Sequence, residues 1–513
     1  MGIINVYAPQ EEINRLELWK EISDLMLEDV HRGWIICGDF NEVRSMDERS
    51  GSVFSSLGAH HFNSFINDMS LHHLNLGGRT FTWMSPNGAK FSRLDRFLLS
   101  DYCINWWPNA LTLALPRLHS DHCPILFDTC GPDYGASPFR IFSSWFKEGS
   151  FEQVVRDSWI KENEEFNVHS KIKKLARKLR VLKNDIKEWR KSVNNRVKEE
   201  EEGAKKTVAA IDLLAEMMGM TDSMLQERSA AICKLQEIEA VKILDLKQKS
   251  RCRWTLEGDE NSSYFHGILN WNKNRNRIAG LNIGGIWNSE PGPVKEECFD
   301  FYKNKFQEHI PNRPRIASEK FKKLDTMDRD FLEREFTGDE IKSAVWKCGN
   351  EKAPGPDGFT FGFIKKFWHI IGKDFIDAVH FFGKEKKLRG GCNSSFITLI
   401  PKTGNPLGLS DYRPINLIGC ITKVISKTMA ERLKLVIGKV ISMEQTAYVK
   451  GRYIFDGPLM VNEITAWAKR TNNRMLMFKV DPEKAFDCLN WGFLDNVMEC
   501  MGFGTTWRAW IKR

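Results

Sequence analysis

The chain has 513 residues, of which 42% are hydrophobic and 28% are charged, and its formal net charge is +8. This length exceeds what one hydrophobic core organises, so we expect two or three domains, and the ordinary globular composition argues against a disordered or fibrous protein. Because the sequence has no membrane-length apolar run, no CxxC pair and no signal peptide, we expect an intracellular protein of the nucleus or cytoplasm.

Short apolar stretches alternate with amphipathic ones in residues 1–130. We predict strands at Ile3–Tyr7, Trp34–Cys37 and Cys123–Phe127, and helices at Arg15–Leu27 and His61–Met69. This alternation predicts a layered α/β domain. A domain seldom opens inside a buried strand, so we also expect that part of this domain lies upstream of the chain.

Four polar motifs flank these strands, where a layered fold gathers its active site: Asn5–Pro9, Gly38–Asn41, Ser92–Arg96 and Ser120–Pro124. Asp39 and Asn41 are two apart on extended chain, so both can face one side and there orient water and hold a phosphate oxygen. Asp121 offers hard oxygen ligands for Mg²⁺. His122 can contact a phosphate or move a proton, with Asp95 fixing its tautomer. An isolated Asp-His pair is usually only a hydrogen-bonded turn. The interpretation of these residues as an active site therefore depends on all four motifs occurring together and in this order.

Residues 131–336 read as a basic helical connector. Apolar residues recur there at alternating steps of three and four, which predicts a coiled coil or a helical hairpin. The recurring positions are Ile172, Leu175, Leu179, Leu182, Ile186, Trp189 and Val193. A second helix, at about Met224–Leu246, is expected to fold back, with an acidic break at Glu199–Glu202 between the two.

The positive charge is concentrated in this connector. Ser170–Lys198 carries 12 lysines and arginines against two carboxylates, a local charge of +10, so the remainder sums to −2. Such a segment suits a nucleic-acid partner, and a solvated helix face without a partner explains it about equally well. Further on, Trp254 and Trp271 lie among basic residues. Their rings can stack on nucleic-acid bases, and the alternative is that they are ordinary core residues.

Residues 337–513 carry a third set of motifs. Thr337 and Glu340 have capping-box spacing before a helix at Ile341–Trp346. The loop Lys352–Phe359 that follows is rich in turn-forming residues. Taken alone, it is best interpreted as a connecting loop without a functional role.

The sequence after this loop predicts two strands that each end in a basic residue, and then one apolar strand. Lys402 and Arg413 lie at the ends of neighbouring strands, where two cations can cradle a triphosphate. A basic amphipathic helix, Lys423–Leu435, leads to Glu444–Arg452. The apolar run Met475–Asp481 predicts a buried strand, and a carboxylate at its end can hold the Mg²⁺ ions used in nucleotidyl transfer.

The motifs of residues 1–130 resemble the exonuclease–endonuclease–phosphatase superfamily, which includes apurinic endonucleases and the target-nicking endonucleases of LINE elements. The resemblance implies phosphate contact by Tyr7, water positioning by Asp39 and Asn41, metal support by Asp121, and catalysis by His122 oriented through Asp95. The asparagine and the metal-binding glutamate of the family's first strands have no counterpart in this sequence.

From about residue 337 onward the motifs resemble the reverse transcriptases of LINE-type (non-LTR) retrotransposons, and look closest to the plant ones. Leu256–His266 in the connector is also typical of these polyproteins. The implied roles are triphosphate binding by Lys402 and Arg413, template–primer contact by Gln445, Lys450 and Arg452, metal binding by Asp481, a steric gate at Phe486, and a structural role for Asp487. Pro482 stands where the family has a large apolar residue, and the paired aspartates of the next palm motif do not occur.

Together these features predict a multidomain α+β protein. Residues 1–130 are expected to be the C-terminal part of a four-layer α/β sandwich of the endonuclease/exonuclease/phosphatase kind. Residues 131–336 are the connector, and residues 337–513 the fingers and the start of the palm of a right-hand polymerase. The family nicks target DNA and performs RNA-directed DNA synthesis, which implies Mg²⁺ or Mn²⁺ and the partners DNA, RNA and dNTP. Two alternatives are a non-enzymatic nucleic-acid-binding protein derived from such an element and a cellular phosphodiesterase, the latter explaining only residues 1–130.

We predict that the purified chain has no catalytic turnover, because each metal-binding set has only part of its carboxylates in this sequence and a two-metal centre needs all of them. The measurement is nicking of supercoiled plasmid and extension of an RNA-templated primer, both with Mg²⁺. Product above the no-protein control in either assay contradicts the prediction.

Overall fold

The computed structural model describes residues 1–29, 31–118, 120–161, 170–250, 272, 275–308, 313–316, 320–388, 391–481 and 489–512. Fifteen helices and fourteen short strands within these ranges make the protein mixed α/β, as the sequence predicted. The chain forms two compact units, each discontinuous in sequence. Unit 1 comprises residues 1–137, 201–302 and 397–415, and unit 2 comprises residues 138–200, 303–396 and 416–513. The three-segment domain division stays a prediction.

Unit 1 contains three small sheets near its N-terminus. Their strands are β1 (Gly2–Tyr7), β2 (Trp34–Asp39), β3 (Arg49–Ser50), β4 (His72–His73), β5 (Leu76–Gly77), β6 (Trp83–Met84), β7 (Phe91–Ser92), β8 (Asp95–Leu99), β9 (Leu111–Ala114) and β10 (Ile125–Asp128). The strand orders are β1-β2-β8-β4, β10-β9-β5 and β3-β7-β6. β1 runs parallel to β2, and β8 runs antiparallel to both β2 and β4.

Strand β2 of the four-stranded sheet is buried on both faces: its successive residues point to opposite sides, and those on either side are covered. Ile36 packs with Trp19 and Phe62 of the helices Glu12–Leu27 and Ser56–Asp68. Its neighbour Ile35 belongs to a separate cluster that includes Ile104 of the helix Asp101–Trp106. The continuous apolar run in β2 follows from this two-sided burial.

The expectation that β1 is buried from its first residues is wrong. This strand lies at the edge of its sheet, and Ile3 is 62% exposed. Val6 is the inward-facing residue that reaches the core. An edge strand with only one covered face alternates between buried and exposed side chains, which is the pattern observed.

A buried ion network holds the segment between β2 and β8. Glu48 receives two hydrogen bonds from Arg96, with distances of 3.0 and 2.6 Å. Burial by itself raises the pKa of Glu48, but the charge and hydrogen bonds of Arg96 outweigh it and hold this pKa at about 2. Burial also lowers the pKa of Arg93 to about 9. A second pair, Arg15 with Glu42 at 2.9 Å, ties the first helix to the loop after β2.

The predicted acidic break at Glu199–Glu202 is wrong. The helix Lys171–Met218 runs through these residues, because glutamate is a good helix former whatever its charge. The helix ends instead at Gly219, whose φ of +84° is the left-handed conformation that glycine adopts after a helix C-terminus.

The chain then turns back in a helical hairpin, which confirms the predicted return of a second helix, Asp222–Ser250. Arg228 pairs with Asp212 at 2.6 Å, near the turn. Lys242 pairs with Glu201 at 2.6 Å, further from it. This spacing of partners is that of two antiparallel helices.

The rest of unit 1 surrounds a small cluster of Leu281, Val294, Leu409 and Tyr412. Its elements are β11 (Leu281–Ile283), β12 (Ile286–Asn288), the helix Pro291–Phe306, and a hairpin of β13 (Ser395–Pro401) and β14 (Tyr412–Ile418). The helix and both hairpin strands extend by a few residues into the ranges assigned to unit 2. The predicted features Trp254, Trp271 and Leu256–His266 lie outside the described residues.

Unit 2 is mainly helical, and in the described ranges of the chain no helix has the length and apolarity needed to span a bilayer. The helices that lie wholly within it are Phe151–Lys161, Thr326–Glu333, Gly338–Trp346, Phe361–Lys366, Trp368–Glu385, Cys420–Val440, Asp456–Arg470, Trp491–Cys500 and Thr505–Ile511. The capping box of Thr337 and Glu340 is confirmed, since each side chain bonds the backbone of the other.

The apolar seam of the connector helix is part of the unit 2 core rather than a coiled-coil interface. Leu175, Leu182 and Ile186 are fully buried in one cluster with Phe363 and Phe375. A heptad-like pattern arises for any helix that buries one stripe, whether its partner is one helix or a globular core. The coiled-coil alternative is therefore not confirmed.

The predicted buried strand Met475–Asp481 is wrong. These residues have no regular secondary structure, and Leu476 and Phe478 are 94% and 85% exposed. A strand is stable only when its backbone groups pair with a neighbouring strand, and none of the described residues pairs with this run.

We predict that Leu182→Ala lowers the free energy of unfolding of unit 2 by about 2–5 kcal/mol, because it leaves a cavity in the core. The matched control is Leu435→Ala in the helix Cys420–Val440 of unit 2, where the side chain is 67% exposed; it should change stability by less than about 0.5 kcal/mol. Hydrogen exchange of unit 2 peptides along a urea series measures both. Equal effects of the two substitutions contradict the core assignment of the seam.

Candidate active site

The polar motifs of unit 1 meet at the ends of three adjacent strands. In the β1–β2 pair Tyr7 lies beside Asp39, and in the β2–β8 pair Asp39 lies opposite Asp95. Residues paired in register project to the same face of a sheet. The strand register therefore lines up a tyrosine and two carboxylates across the sheet, with Tyr7 83% exposed at its edge.

Local backbone geometry fixes the end of β2. Gly38 has a φ of +125°, and a Cβ at this position would lie 2.1 Å from the carbonyl oxygen of Val6, so only glycine fits. Asn41 adopts the left-handed region with a φ of +47°. Its backbone N–H donates to Asp39 Oδ1 at 2.9 Å, and its side-chain Nδ2 donates to the carbonyl of Ala8 at 2.6 Å.

His122 joins the two carboxylates. Its Nδ1 contacts Asp95 Oδ2 at 2.9 Å, and its Nε2 lies 3.9 Å from Asp39 Oδ2. An ionised carboxylate only accepts hydrogen bonds, so Nδ1 carries the proton in this pair. The backbone N–H of His122 also donates to Ser120 Oγ at 3.1 Å. The ring is thus oriented from one side, and its Nε2 faces Asp39.

The protonation of the two central groups is shifted. The hydrogen bond from His122 to Asp95 raises the pKa of His122 above its usual value, against the opposing effect of burial. Burial raises the pKa of Asp39, and the negative charge of Asp95 adds to this, while the N–H of Asn41 lowers it. The imidazole is therefore cationic to higher pH than a free histidine, and Asp39 is a stronger base than a free aspartate.

Asp121 lies next to His122 in the chain but is not part of the closely spaced group of Asp39, Asp95 and His122. Asp39, Asp95 and His122 each offer a ligand atom within 4.8 Å of the others. The Asp121 carboxylate instead accepts a hydrogen bond from Trp83 Nε1 at 2.8 Å, which lowers its pKa.

Two residues that support the site were missed in the sequence. Thr82 is fully buried, and its hydroxyl accepts hydrogen bonds from the N–H groups of Leu94 and Asp95, both at 3.0 Å. Ser120 anchors the backbone of His122, although only its neighbours were assigned roles. Thr82 could not be recognised from the sequence, because a single threonine before a two-residue strand belongs to no motif.

A divalent cation fits this donor set through Asp39. In the described part of the chain Asp39 forms no ion pair with a lysine or arginine, so its partly buried charge is unbalanced except by His122. Asp95 Oδ2 is already engaged by His122. Carboxylate oxygens are preferred by Mg²⁺ and Mn²⁺, so Asp39 is the first ligand to consider and Asp121 is the nearby second.

The two predicted triphosphate ligands share one hairpin. Lys402 follows β13 and Arg413 lies in β14, and both side chains are exposed. The backbone N–H of Lys402 donates to the carbonyl of Asp411 at 2.8 Å, and its Nζ donates to the carbonyl of Ser410 at 2.7 Å. Strand pairing thus holds the two cationic residues on one small sheet.

The three predicted template–primer residues lie after the helix Cys420–Val440. Gln445 and Lys450 are exposed. Arg452 is partly covered, and its guanidinium donates to the carbonyls of Ile441 at 3.0 Å and Gln445 at 2.6 Å, and to that of Ser442. Arg452 therefore closes this loop onto the C-terminal end of the helix, where carbonyls lack partners.

Asp481 is exposed in the irregular segment described above. The predicted neighbours Pro482, Phe486 and Asp487 lie outside the described residues. The predicted roles of these four residues stay predictions.

Comparison with known proteins adds three findings. Residues 1–126 match a family described as endonuclease-reverse transcriptase, and residues 400–513 match reverse transcriptase (RNA-dependent DNA polymerase). The chain is 26% identical over 538 residues to the Transposon TX1 uncharacterized 149 kDa protein of Xenopus laevis. This alignment covers 100% of the chain and 40% of that relative.

These findings confirm both resemblances drawn from the motifs. The match over residues 400–513 accounts for the motifs that a cellular phosphodiesterase leaves unexplained. The special likeness to plant elements stays untested.

We predict that Asp95→Asn lowers the pKa of His122, because the hydrogen bond to a carboxylate is the largest cause of its upward shift. ¹³C-histidine labelling and NMR titration measure it, with His122→Gln assigning the signal. Asp101→Asn is the control, since Asp101 contacts His72 and not His122. A His122 titration unchanged by Asp95→Asn, or equally changed by Asp101→Asn, contradicts the assignment.

The sign of the linked stability change follows from the same shift. Since the pKa of His122 is raised in the folded state, the stabilisation from this pair is present at low pH and is lost as the pH rises through that raised pKa. Asp95→Asn should therefore destabilise unit 1 more in mildly acidic than in alkaline solution.

Proposed function

We propose that Asp39, Asp95 and His122 in residues 1–126 form part of a metal-dependent site for DNA phosphodiester hydrolysis, in a chain that belongs to the LINE-type (non-LTR) retrotransposon polyproteins. The observation that carries the proposal is the geometry of His122, with Nδ1 at 2.9 Å from Asp95 and Nε2 at 3.9 Å from Asp39. A histidine oriented from behind by one carboxylate and facing another is the arrangement that proton transfer at a phosphate requires.

The two shifted pKa values suggest a division of labour. The pKa of His122 is raised, so the ring keeps its positive charge to higher pH than a free histidine and can stabilise the charge that develops on the phosphate oxygens. Burial raises the pKa of Asp39 when no cation is bound, and a bound cation would lower it, so we assign Asp39 the role of positioning the attacking water rather than taking its proton. Asn41 holds Asp39 in place through its backbone N–H, and the exposed Tyr7 at the neighbouring position is available to contact the phosphate.

The endonuclease and reverse transcriptase families to which the chain is similar generally use divalent metal ions. We propose Mg²⁺ or Mn²⁺ here, held by Asp39 with Asp121 as a further oxygen ligand. When bound, the cation supplies positive charge that polarises the phosphate. The protein's own contribution is to hold the Asp39 carboxylate 3.9 Å from His122 Nε2 at the ends of adjacent strands.

For residues 400–513 we propose the nucleotide-binding part of RNA-directed DNA synthesis, with dNTP, DNA and RNA as partners. Lys402 and Arg413 on one hairpin support triphosphate binding, because an exposed ammonium and guanidinium together can offset part of its negative charge. Gln445 and Lys450 are exposed as a template–primer contact requires, whereas Arg452 supports the loop that carries them. The four-layer sandwich and the fingers-and-palm architecture are the finer folds we propose for the two segments.

The cation site has a direct test that does not need turnover. Mn²⁺ bound at Asp39 should broaden the ¹³C-labelled ring signals of His122 in the full chain, because the two side chains are 3.9 Å apart. Asp39→Asn should raise the Mn²⁺ concentration needed by at least about tenfold, which is about 1.4 kcal/mol.

Asp128→Asn is the matched control, since this carboxylate lies at the end of β10 outside the three-residue group. It should leave the broadening unchanged. If millimolar Mn²⁺ leaves His122 sharp, or if Asp39→Asn has no effect, the proposed site does not bind the metal.

A further inference from the structure

A polar cavity of about 330 Å³ lies within unit 1, apart from the candidate active site. Neither Asp39, Asp95 nor His122 lines it. Its polar walls include Arg44, Asn63, His73, Asn75, Arg93 and Asn405. The sequence motifs assign no role to these side chains.

The charges around this cavity are not balanced. Arg93 is only 2% exposed, and its Nε has no hydrogen-bond partner. Its nearest carboxylate oxygen, on Glu48, is 3.8 Å away. That carboxylate is already taken, since Arg96 binds both of its oxygens and the backbone N–H of Arg44 donates to one of them at 2.7 Å. Asp47 also lines the cavity and offsets part of the positive charge.

The closest partner of Arg93 is a neutral ring. Arg93 Nη2 lies 2.8 Å from His73 Nε2. A guanidinium only donates, so His73 Nε2 accepts and its Nδ1 carries the proton. Burial and the charge of Arg93 keep the pKa of His73 well below its usual value, so the ring does not compete as a cation. A buried arginine whose near partners are a neutral ring and an already paired carboxylate is electrostatically incomplete.

We propose that this cavity binds a phosphate group, with Arg93 as its principal ligand. The guanidinium fork of an arginine matches two oxygens of a tetrahedral anion. Asn405 uses its amide oxygen to accept from the N–H of Leu76 at 3.1 Å, which leaves its NH₂ group as a donor. The cavity holds several water volumes, so the phosphate enters either free with its water or attached to the end of a nucleic-acid strand.

The test is calorimetric titration of the full chain with inorganic phosphate. Arg93→Met should weaken binding by about 10- to 100-fold, the range for losing a hydrogen bond between charged groups. Arg79→Met is the control: this arginine is exposed in the same unit, and its loss should leave the affinity unchanged. Circular dichroism verifies that both variants are folded. Equal affinities of a folded Arg93→Met variant and the parent overturn the proposal.

A second measurement needs no change at Arg93. Phosphate should shift the ¹³C-labelled ring signals of His73 whether or not it also shifts those of His122, with His73→Gln assigning the signal. A shift of His122 alone would assign phosphate binding to the candidate active site and overturn the proposal. So would the absence of any response of His73 up to about 10 mM phosphate.

Two oligonucleotides distinguish the sources of the phosphate. One carries a 5′-phosphate and the other has the same sequence with a 5′-hydroxyl. Displacement of inorganic phosphate by the first only identifies a strand end as the ligand. Displacement by neither, with phosphate still bound, identifies the free anion. Displacement by both equally shows that terminal phosphate recognition does not occur and contradicts the proposed site.

Discussion

The register of three strands is the constraint on which the candidate active site depends. β1 and β2 run parallel and β8 runs antiparallel beside them, so Tyr7, Asp39 and Asp95 occupy one row across the sheet. Because side chains alternate along a strand, a slip of one residue would turn Asp39 toward the apolar core. Two backbone features hold β2 in place: Gly38 allows the close approach of the Val6 carbonyl, and Asn41 bonds to Ala8. Chemistry at His122 therefore rests on backbone pairing as much as on side chains.

The individual site residues could be found in the sequence, whereas their geometry could not. A polar motif at the end of each apolar strand indicated Asp39, Asp95 and His122, because buried strands of a layered fold deliver polar ends to a shared edge. The position of Asp39 opposite Asp95 is set by pairing between two strands that are far apart in the chain, for which one sequence carries no signal. Thr82 was missed for the same reason, since its partner Asp95 lies on another strand.

In the remainder of the chain the sequence predicted helices well and their environments less well. A stripe of apolar residues along one face of the connector helix is expected both in a coiled coil and in a helix that packs on a globular core. The spacing of these residues alone therefore did not distinguish the two environments. Charge also misled: Glu199–Glu202 continue a helix, and Lys178 is buried against Asp374 at 2.9 Å rather than displayed to a polyanion. The positive field of this helix is therefore smaller than its composition suggests.

The helix Asp456–Arg470 and the residues before it have a practical consequence for handling the protein. Tyr453, Phe455, Leu459 and Trp467 are all more than half exposed. Exposed apolar side chains of this kind promote association, because the free energy falls when two apolar surfaces leave water and pack together. We expect the isolated polypeptide to adsorb to plastic and hydrophobic resins and to precipitate on concentration, and to remain dispersed when mild detergent covers this helix.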